Sequence, residues 1–210
     1  MLNVTARQEL MRTIVETLGV VVEEARLDFG EDGLSVRVVD PSHVAMIKMD
    51  VDSAAFETWE VDETKLGLEM RKMHQFLSVA GAGDMVELAY NDETGQATIH
   101  IGRIDLNLRP LDNSTLNPPN VPSLELPCGV TIGGSELAQA LRAAKLVGDL
   151  VNLSLTEDTF TVNVKGSTDS VNLDFSKDDL HAIDCKEAAR SQYSLTYLTP
   201  LAKIFQGIEN

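Results

Sequence analysis

Leu27-Asp28-Phe29-Gly30-Glu31-Asp32-Gly33-Leu34-Ser35-Val36-Arg37-Val38 is answered later in the chain by Leu153-Ser154-Leu155-Thr156-Glu157-Asp158-Thr159-Phe160-Thr161-Val162-Asn163-Val164. A single offset superposes the apolar-polar-apolar triplets, the Glu-Asp pair at the turn and the alternating run that follows. The likeness extends from Leu27–Asp50 to Leu153 and roughly Ser176, and upstream to Leu10–Leu18 and Leu137–Val147. Each copy reads as an amphipathic helix running into paired strands. A unit of helix plus hairpins written twice predicts a pseudo-symmetric fold and points toward an assembly.

Outward from that stretch, Thr5-Ala6-Arg7-Gln8 has the spacing of a capping box, and Leu10, Met11, Ile14 and Leu18 follow at helical intervals, predicting a helix over 5–18. Strands are expected near Val21–Phe29, Leu34–Val39 and Val44–Met49, with Asp40-Pro41-Ser42 as a turn. An extended piece near Lys65–Met70 leads to a helix over Arg71–Ala80, then to strands Met85–Tyr90, Gln96–Ile101 and Ile104–Arg109. Between Pro110 and Pro127 lie five of the seven prolines, a composition that cannot continue a sheet. Domains are therefore expected over 1–110 and 129–210, with 111–128 as connector. The second copy predicts a helix over Ser135–Val147, strands near Leu150–Leu155, Phe160–Lys165, Val171–Phe175 and Gln192–Leu198, and a last helix over 199–208 that Thr199-Pro200 would open. The second copy lacks the roughly 27 residues of strand that Asp84–Pro110 supply to the first, so the natural protein is expected to be longer.

An apolar content of 43% is ordinary for a globular chain, and no apolar run approaches the roughly 20 residues that span a bilayer. A soluble, intracellular protein is expected. Cys128 and Cys185 have no CxxC or Cys/His partner in spacing, which predicts free thiols rather than a disulfide or zinc site. The formal charge of −16 would strain a compact fold by self-repulsion. At molar ionic strength screening acts within about 3 Å, so such a surface points to a salty cytoplasm.

Charge is also segregated. The four expected helices hold Arg7, Arg12, Arg71, Lys72, Arg142, Lys145 and Lys203 against Glu9, Glu16 and Glu136, the reverse of the balance elsewhere. On the third helix Arg142 and Lys145 fall off the Leu137, Ala140, Leu141, Ala144 stripe, and Arg12, Arg71, Lys72 and Lys203 likewise lie off theirs. Solubilising polar faces would look the same. If the faces share one surface, it suits a phosphate backbone held without base readout, since no stacking platform or recognition helix is present. Such contacts are weak in salt, whereas a closed ring is kept on by topology.

Catalytic patterns are not found. Asp50, Asp52, Asp178 and Asp179 are the clustering expected of abundant carboxylates, Gly133-Gly134-Ser135 lacks the lysine of a phosphate loop, and His74, His100 and His181 are scattered. No catalytic residue, metal or cofactor is expected. An acid-cleft nuclease and a salt-adapted oligomeric adaptor that never meets DNA are the rival readings.

The run Gly33-Leu-Ser-Val-Arg-Val-Val-Asp-Pro-Ser-His-Val-Ala-Met-Ile, above all Asp40-x-Ser42-His43-Val44, resembles the proliferating cell nuclear antigen family of sliding clamps, and most closely its archaeal branch. The resemblance covers the whole chain. It implies an α+β fold of two pseudo-repeated domains, helices on antiparallel sheets, closing as a homotrimeric ring around duplex DNA. It also implies a processivity factor for DNA polymerase, put on DNA by a separate clamp loader and shared with ligase and nucleases. DNA-facing cations are then Arg12, Arg142 and Lys203, with Arg71, Lys72 and Lys145 beside them, while Gly19 and Ser78 are neutral where relatives carry lysine. The subunit joint falls to Ile104, Leu106 and Leu108 of one copy against Val171, Leu173 and Phe175 of the next. Partner motifs are expected at Val39, Asp40, His43, Val44 and Met46, under Val121 and Pro122 of the connector.

Overall fold

The duplication of sequence is a duplication of topology. The computed structural model describes residues 1–207 in two units, one of Met1–Val121 and one that starts at Pro122. The first runs β1 (Leu2–Arg7), α1 (Gln8–Gly19), β2 (Glu24–Gly30), β3 (Gly33–Val39), β4 (Met46–Asp52), β5 (Thr58–Val61), β6 (Thr64–Glu69), α2 (Met70–Leu77), β7 (Met85–Asn91), β8 (Gln96–Ile101) and β9 (Ile104–Leu108). The second runs β10 (Cys128–Thr131), α3 (Gly134–Lys145), β11 (Leu150–Leu155), β12 (Thr159–Lys165), β13 (Ser170–Ser176), β14 (Ala182–Cys185), β15 (Ala189–Ser194) and α4 (Leu195–Phe205). The sheet order β4-β3-β2-β6 returns as β13-β12-β11-β15, and the pair β5-β1 returns as β14-β10. Even a 3-10 turn recurs, Ser53–Ala55 in one copy and Lys177–Asp179 in the other.

Register repeats with it. The cross-strand pair Phe29↔Leu34 becomes Leu155↔Phe160, both partners displaced by 126 positions. Beyond the next turn Val36↔Met49 becomes Val162↔Leu173, where the outer strand is displaced by only 124. The difference is the turn between β3 and β4, two residues longer than the turn between β12 and β13. The first copy thus carries a projecting loop that the second lacks.

Strict alternation places the cores. Leu27, Phe29, Leu34, Val36 and Val38 are buried with Leu66 and Leu68 of β6 and with Ile14, Leu18, Met73 and Leu77 of the helices. In the second unit Phe160, Val162 and Val164 pack with Val151, Leu141 and the small Ala138, Ala140 and Ala144 of α3. Alanines at those positions let the helix backbone approach the sheet. No described helix is long and apolar enough to cross a membrane.

Several expectations change. Thr5 does not cap a helix: it lies in β1, where Leu2, Val4 and Ala6 are buried at period two between β5 and β7, and α1 starts at Gln8 with no side-chain cap on Arg7. Arg7 therefore leaves the helical cation set. Val44 belongs to the turn, since β4 starts at Met46. The last helix starts at Leu195, where Ser194 Oγ accepts from the Thr196 amide at 3.3 Å, so Pro200 sits inside α4 and removes a backbone donor there. Position 208 of the expected helix lies outside the described residues. The short strands β5, β10 and β14 are additional to those expected. Cys128 and Cys185 are not free thiols but direct cross-strand partners of β10 and β14, 4.1 Å apart at Cα and joined as a disulfide. A separation of 57 residues conceals from the sequence what strand pairing creates.

Candidate functional site

The helical cations differ in how far they are engaged. α1 and α2 pack side by side in the first unit, α3 and α4 in the second. On α1 Arg12 Nε donates to Glu16 Oε1 at 2.6 Å, and His74 Nε2 of α2 lies 3.0 Å from the same oxygen. On α2 Lys72 Nζ stands 5.8 Å from the centroid of the Phe76 ring. On α3 Arg142 Nη1 donates to Gln206 Oε1 at 3.3 Å, and Lys145 pairs with Asp149, whose carboxyl it holds below the ordinary range. Arg71 and Lys203 are exposed and make no hydrogen bond or ion pair among the described residues. Exposed i,i+4 pairs contribute only about 0.3–0.5 kcal/mol, so a phosphate can displace Glu16 or Asp149 at small cost. Arg71 and Lys203 need no displacement.

The two strands named for the joint both end their sheets. β9 is the last strand of β5-β1-β7-β8-β9, and β13 the first of β13-β12-β11-β15, so each leaves one side of its backbone unpaired among the described residues. Ile104 is 41% exposed, Leu106 is half-buried and Leu108 belongs to the core of its own unit. Val171, Leu173 and Phe175 are half-buried, and Phe175 stacks on Phe160 with centroids 5.9 Å apart. Period-two patterning reports which face a strand buries; it does not report whether the strand is internal or at an edge.

Beside that edge His100 Nδ1 lies 2.5 Å from Asp105 Oδ1, its cross-strand partner. That hydrogen bond raises the imidazole above its ordinary 6.5, with Glu87 adding to the effect. A folded-state value above the unfolded one stabilises fully at pH below the unfolded value and loses its contribution as pH rises through the folded one. A histidine titration followed by NMR is expected to give His100 a midpoint above 6.5, and Asp105→Asn should lower that midpoint by removing the largest cause of the shift.

The longer turn of the first copy is organised by Asp40. This buried carboxylate accepts from the amides of Ser42 at 2.9 Å, Val44 at 2.7 Å and Ala45 at 2.7 Å. His43 takes a positive φ of 56°, a cost the Asp40 bonds offset. Asp40 therefore shapes the loop from beneath, and Val44, 67% exposed, and Met46, 39% exposed, are what the loop presents. Val39 pairs with Met46 on the same outward face. Val121, 41% exposed, closes the first unit, and Pro122 opens the second.

Gly67, which sequence reasoning missed, seats the connector. Leu111 forms a bridge to it and donates to its carbonyl at 2.8 Å, and Asn113 Nδ2 reaches Lys65 O at 2.6 Å. A Cβ at Gly67 would stand 2.8 Å from Leu116 Cδ1 and 2.9 Å from Leu111 O. A glycine interrupting the Lys65-x-Gly67-x-Glu69 face of a strand was the available signal for close backbone approach.

The family model for the N-terminal domain of proliferating cell nuclear antigen matches residues 1–105. The DNA polymerase sliding clamp of Methanosarcina barkeri is 35% identical over 204 residues, covering 97% of this chain and 83% of the relative. The chain belongs to the proliferating cell nuclear antigen family. The DNA polymerase sliding clamp from Haloarcula marismortui is 32% identical over 207 residues, covering 97% of this chain and 83% of the relative. Among solved structures, A. fulgidus PCNA bound to the C-terminal region of FEN-1 matches at a TM-score of 0.92 and 30% identity, covering 97% of this chain and 83% of that one.

Within this family member three of the four carboxylates considered for catalysis, Asp50, Asp52 and Asp179, have structural tasks, whereas Asp178 makes no hydrogen bond or ion pair among the described residues. Asp50 accepts from Ser35 Oγ at 2.9 Å and pairs with Lys48 at 3.0 Å, which together hold its carboxyl below the ordinary range, Lys48 most strongly. Asp52 accepts from the Ala54 amide, and Asp179 closes a capping box with Ser176. Among the described residues no three His, Cys, Asp or Glu side chains are grouped as metal ligands.

Proposed function

We propose that three copies of this chain close into a ring that encircles duplex DNA without reading its sequence. The ring tethers DNA polymerase, and also ligase and nucleases, as a processivity factor. One observation carries the reading: in a chain of net charge −16, the four helices present Arg12, Arg71, Lys72, Arg142, Lys145 and Lys203, all exposed. Phosphate contacts from such cations are salt-sensitive and sequence-independent. Alone they would not hold a protein on DNA in a salt-rich cytoplasm, whereas a closed ring needs them only to centre the duplex.

The placement of β9 and β13 at sheet edges supports a joint formed by strand addition between copies, with Ile104, Leu106 and Val171, Leu173 at the seam. The Val39, Val44 and Met46 shelf is the surface for a partner's short apolar motif. In this reading the chain has no catalytic step of its own, acts in the cytoplasm on the nucleoid, and depends on a separate loader.

Topology distinguishes a ring from an ordinary DNA-binding protein. The protein loaded on nicked circular DNA is expected to stay bound through a high-salt wash and to be lost within minutes once the circle is cut. Equal loss from circular and linear DNA would exclude encirclement.

A further inference from the structure

We propose that the outward face of β2-β3-β4 makes docking selective for a partner segment that carries an acidic side chain beside its apolar anchor. The inference rests on the reading of Val39 and Met46 as the docking shelf.

Strand register orders this face in rows. Val39↔Met46 is an apolar row. The next residues along the same face, Arg37↔Lys48, are like charges directly opposite each other, an arrangement that is unfavourable for the sheet by itself. Ser35↔Asp50 follows. Arg26 of β2 and Lys65 of β6 line the same open hollow as Arg37. In so acidic a chain a basic row on a sheet face is unexpected.

The cations of this face are not equally available. Arg26 is held by Asp28 through two bonds of 2.7 and 2.9 Å, both side chains largely covered. Lys48 pairs with Asp50 in an exposed contact of the kind that contributes little. Arg37, half-buried, makes no hydrogen bond or ion pair among the described residues; its charge acts on Asp50 only at longer range, more weakly than that of Lys48. A guanidinium presents a planar fork that matches a carboxylate bidentately. Contact pairing of that geometry persists where long-range attraction is screened.

Polarity therefore changes along the face from apolar to cationic to acidic, where Glu31, Asp32 and Glu63 border the far end of the hollow. Two residues of extended chain cover about 6–7 Å, the step from one row to the next. The fitting occupant has apolar anchors on the shelf and a single Asp or Glu two residues further on. A longer acidic tract would meet Glu31 and Asp32 and gain nothing.

The test uses three labelled peptides with identical apolar anchors and Glu, Gln or Lys at the flanking position, measured on the intact protein by fluorescence anisotropy. The Glu peptide is expected to bind about tenfold more tightly than the Gln peptide, and the Lys peptide more weakly than either. Arg37→Gln should remove the preference, Arg37→Glu should reverse it, and Met46→Asp should abolish binding of all three. Equal affinities for the wild-type protein would overturn the acidic preference while leaving the shelf intact. Failure of all three peptides to bind would remove the shelf, and the preference with it.

Discussion

Arg71→Glu, Arg142→Glu and Lys203→Glu introduced together are expected to reduce stimulation of a DNA polymerase by more than tenfold while the mass by light scattering stays that of the wild-type assembly. These residues are chosen because Arg71 and Lys203 have no intramolecular partner among the described residues and Arg142 has only a neutral one. Arg12 and Lys145 already share carboxylates, so reversing them changes less of the available positive charge. Removing one phosphate-binding cation should lower the slope of log affinity against log salt by about one, and the triple change by about three. All three side chains are exposed on helix surfaces, where substitutions usually shift stability by no more than about 0.5 kcal/mol. Activity within twofold of wild type would show that the helices do not face DNA, and would return the adaptor reading.

Ile104→Asp is expected to convert the assembly to monomers without unfolding the chain. Ile104 stands 41% exposed at the start of β9, so within one copy the substitution removes little packing. In a seam against Val171 and Leu173 of another copy the introduced carboxylate would be buried without a partner, at a cost of about 3 kcal/mol or more per joint, over a hundredfold in association. Light scattering in molar salt should fall from the mass of three subunits to that of one, with circular dichroism and the thermal midpoint preserved. Retention on circular DNA should disappear with it. A variant that keeps the full mass would place the joint on another sheet edge.

The residues that mislead and those that inform differ in the range of the interactions they report. Thr5-Ala6-Arg7-Gln8 imitates a capping box, yet Leu2, Val4 and Ala6 alternate, and pairing on both sides by β5 and β7 outweighs a local cap. Thr199-Pro200 imitates a helix start, yet Ser194 five positions earlier supplies the cap and the packed helix tolerates Pro200. Asp40 is expected at the partner surface from its place in a family-like motif, and its three amide bonds show a task the motif does not spell out, holding the loop that presents Val44 and Met46.

Duplication, the succession of hairpins and the sorting of most of the named cations onto helices were determined by the sequence alone, because each depends on spacing within one element or between neighbours, where period and side-chain direction are set by backbone geometry. Only the tertiary structure decided that β9 and β13 stand at edges, that Cys128 meets Cys185, that Gly67 seats the connector and that Arg37, one row from Met46, has no hydrogen bond or ion pair among the described residues. Each of those depends on which distant strand comes to lie alongside. Pairing of distant segments is settled by the whole core at once, and it leaves no mark in the local period of either partner.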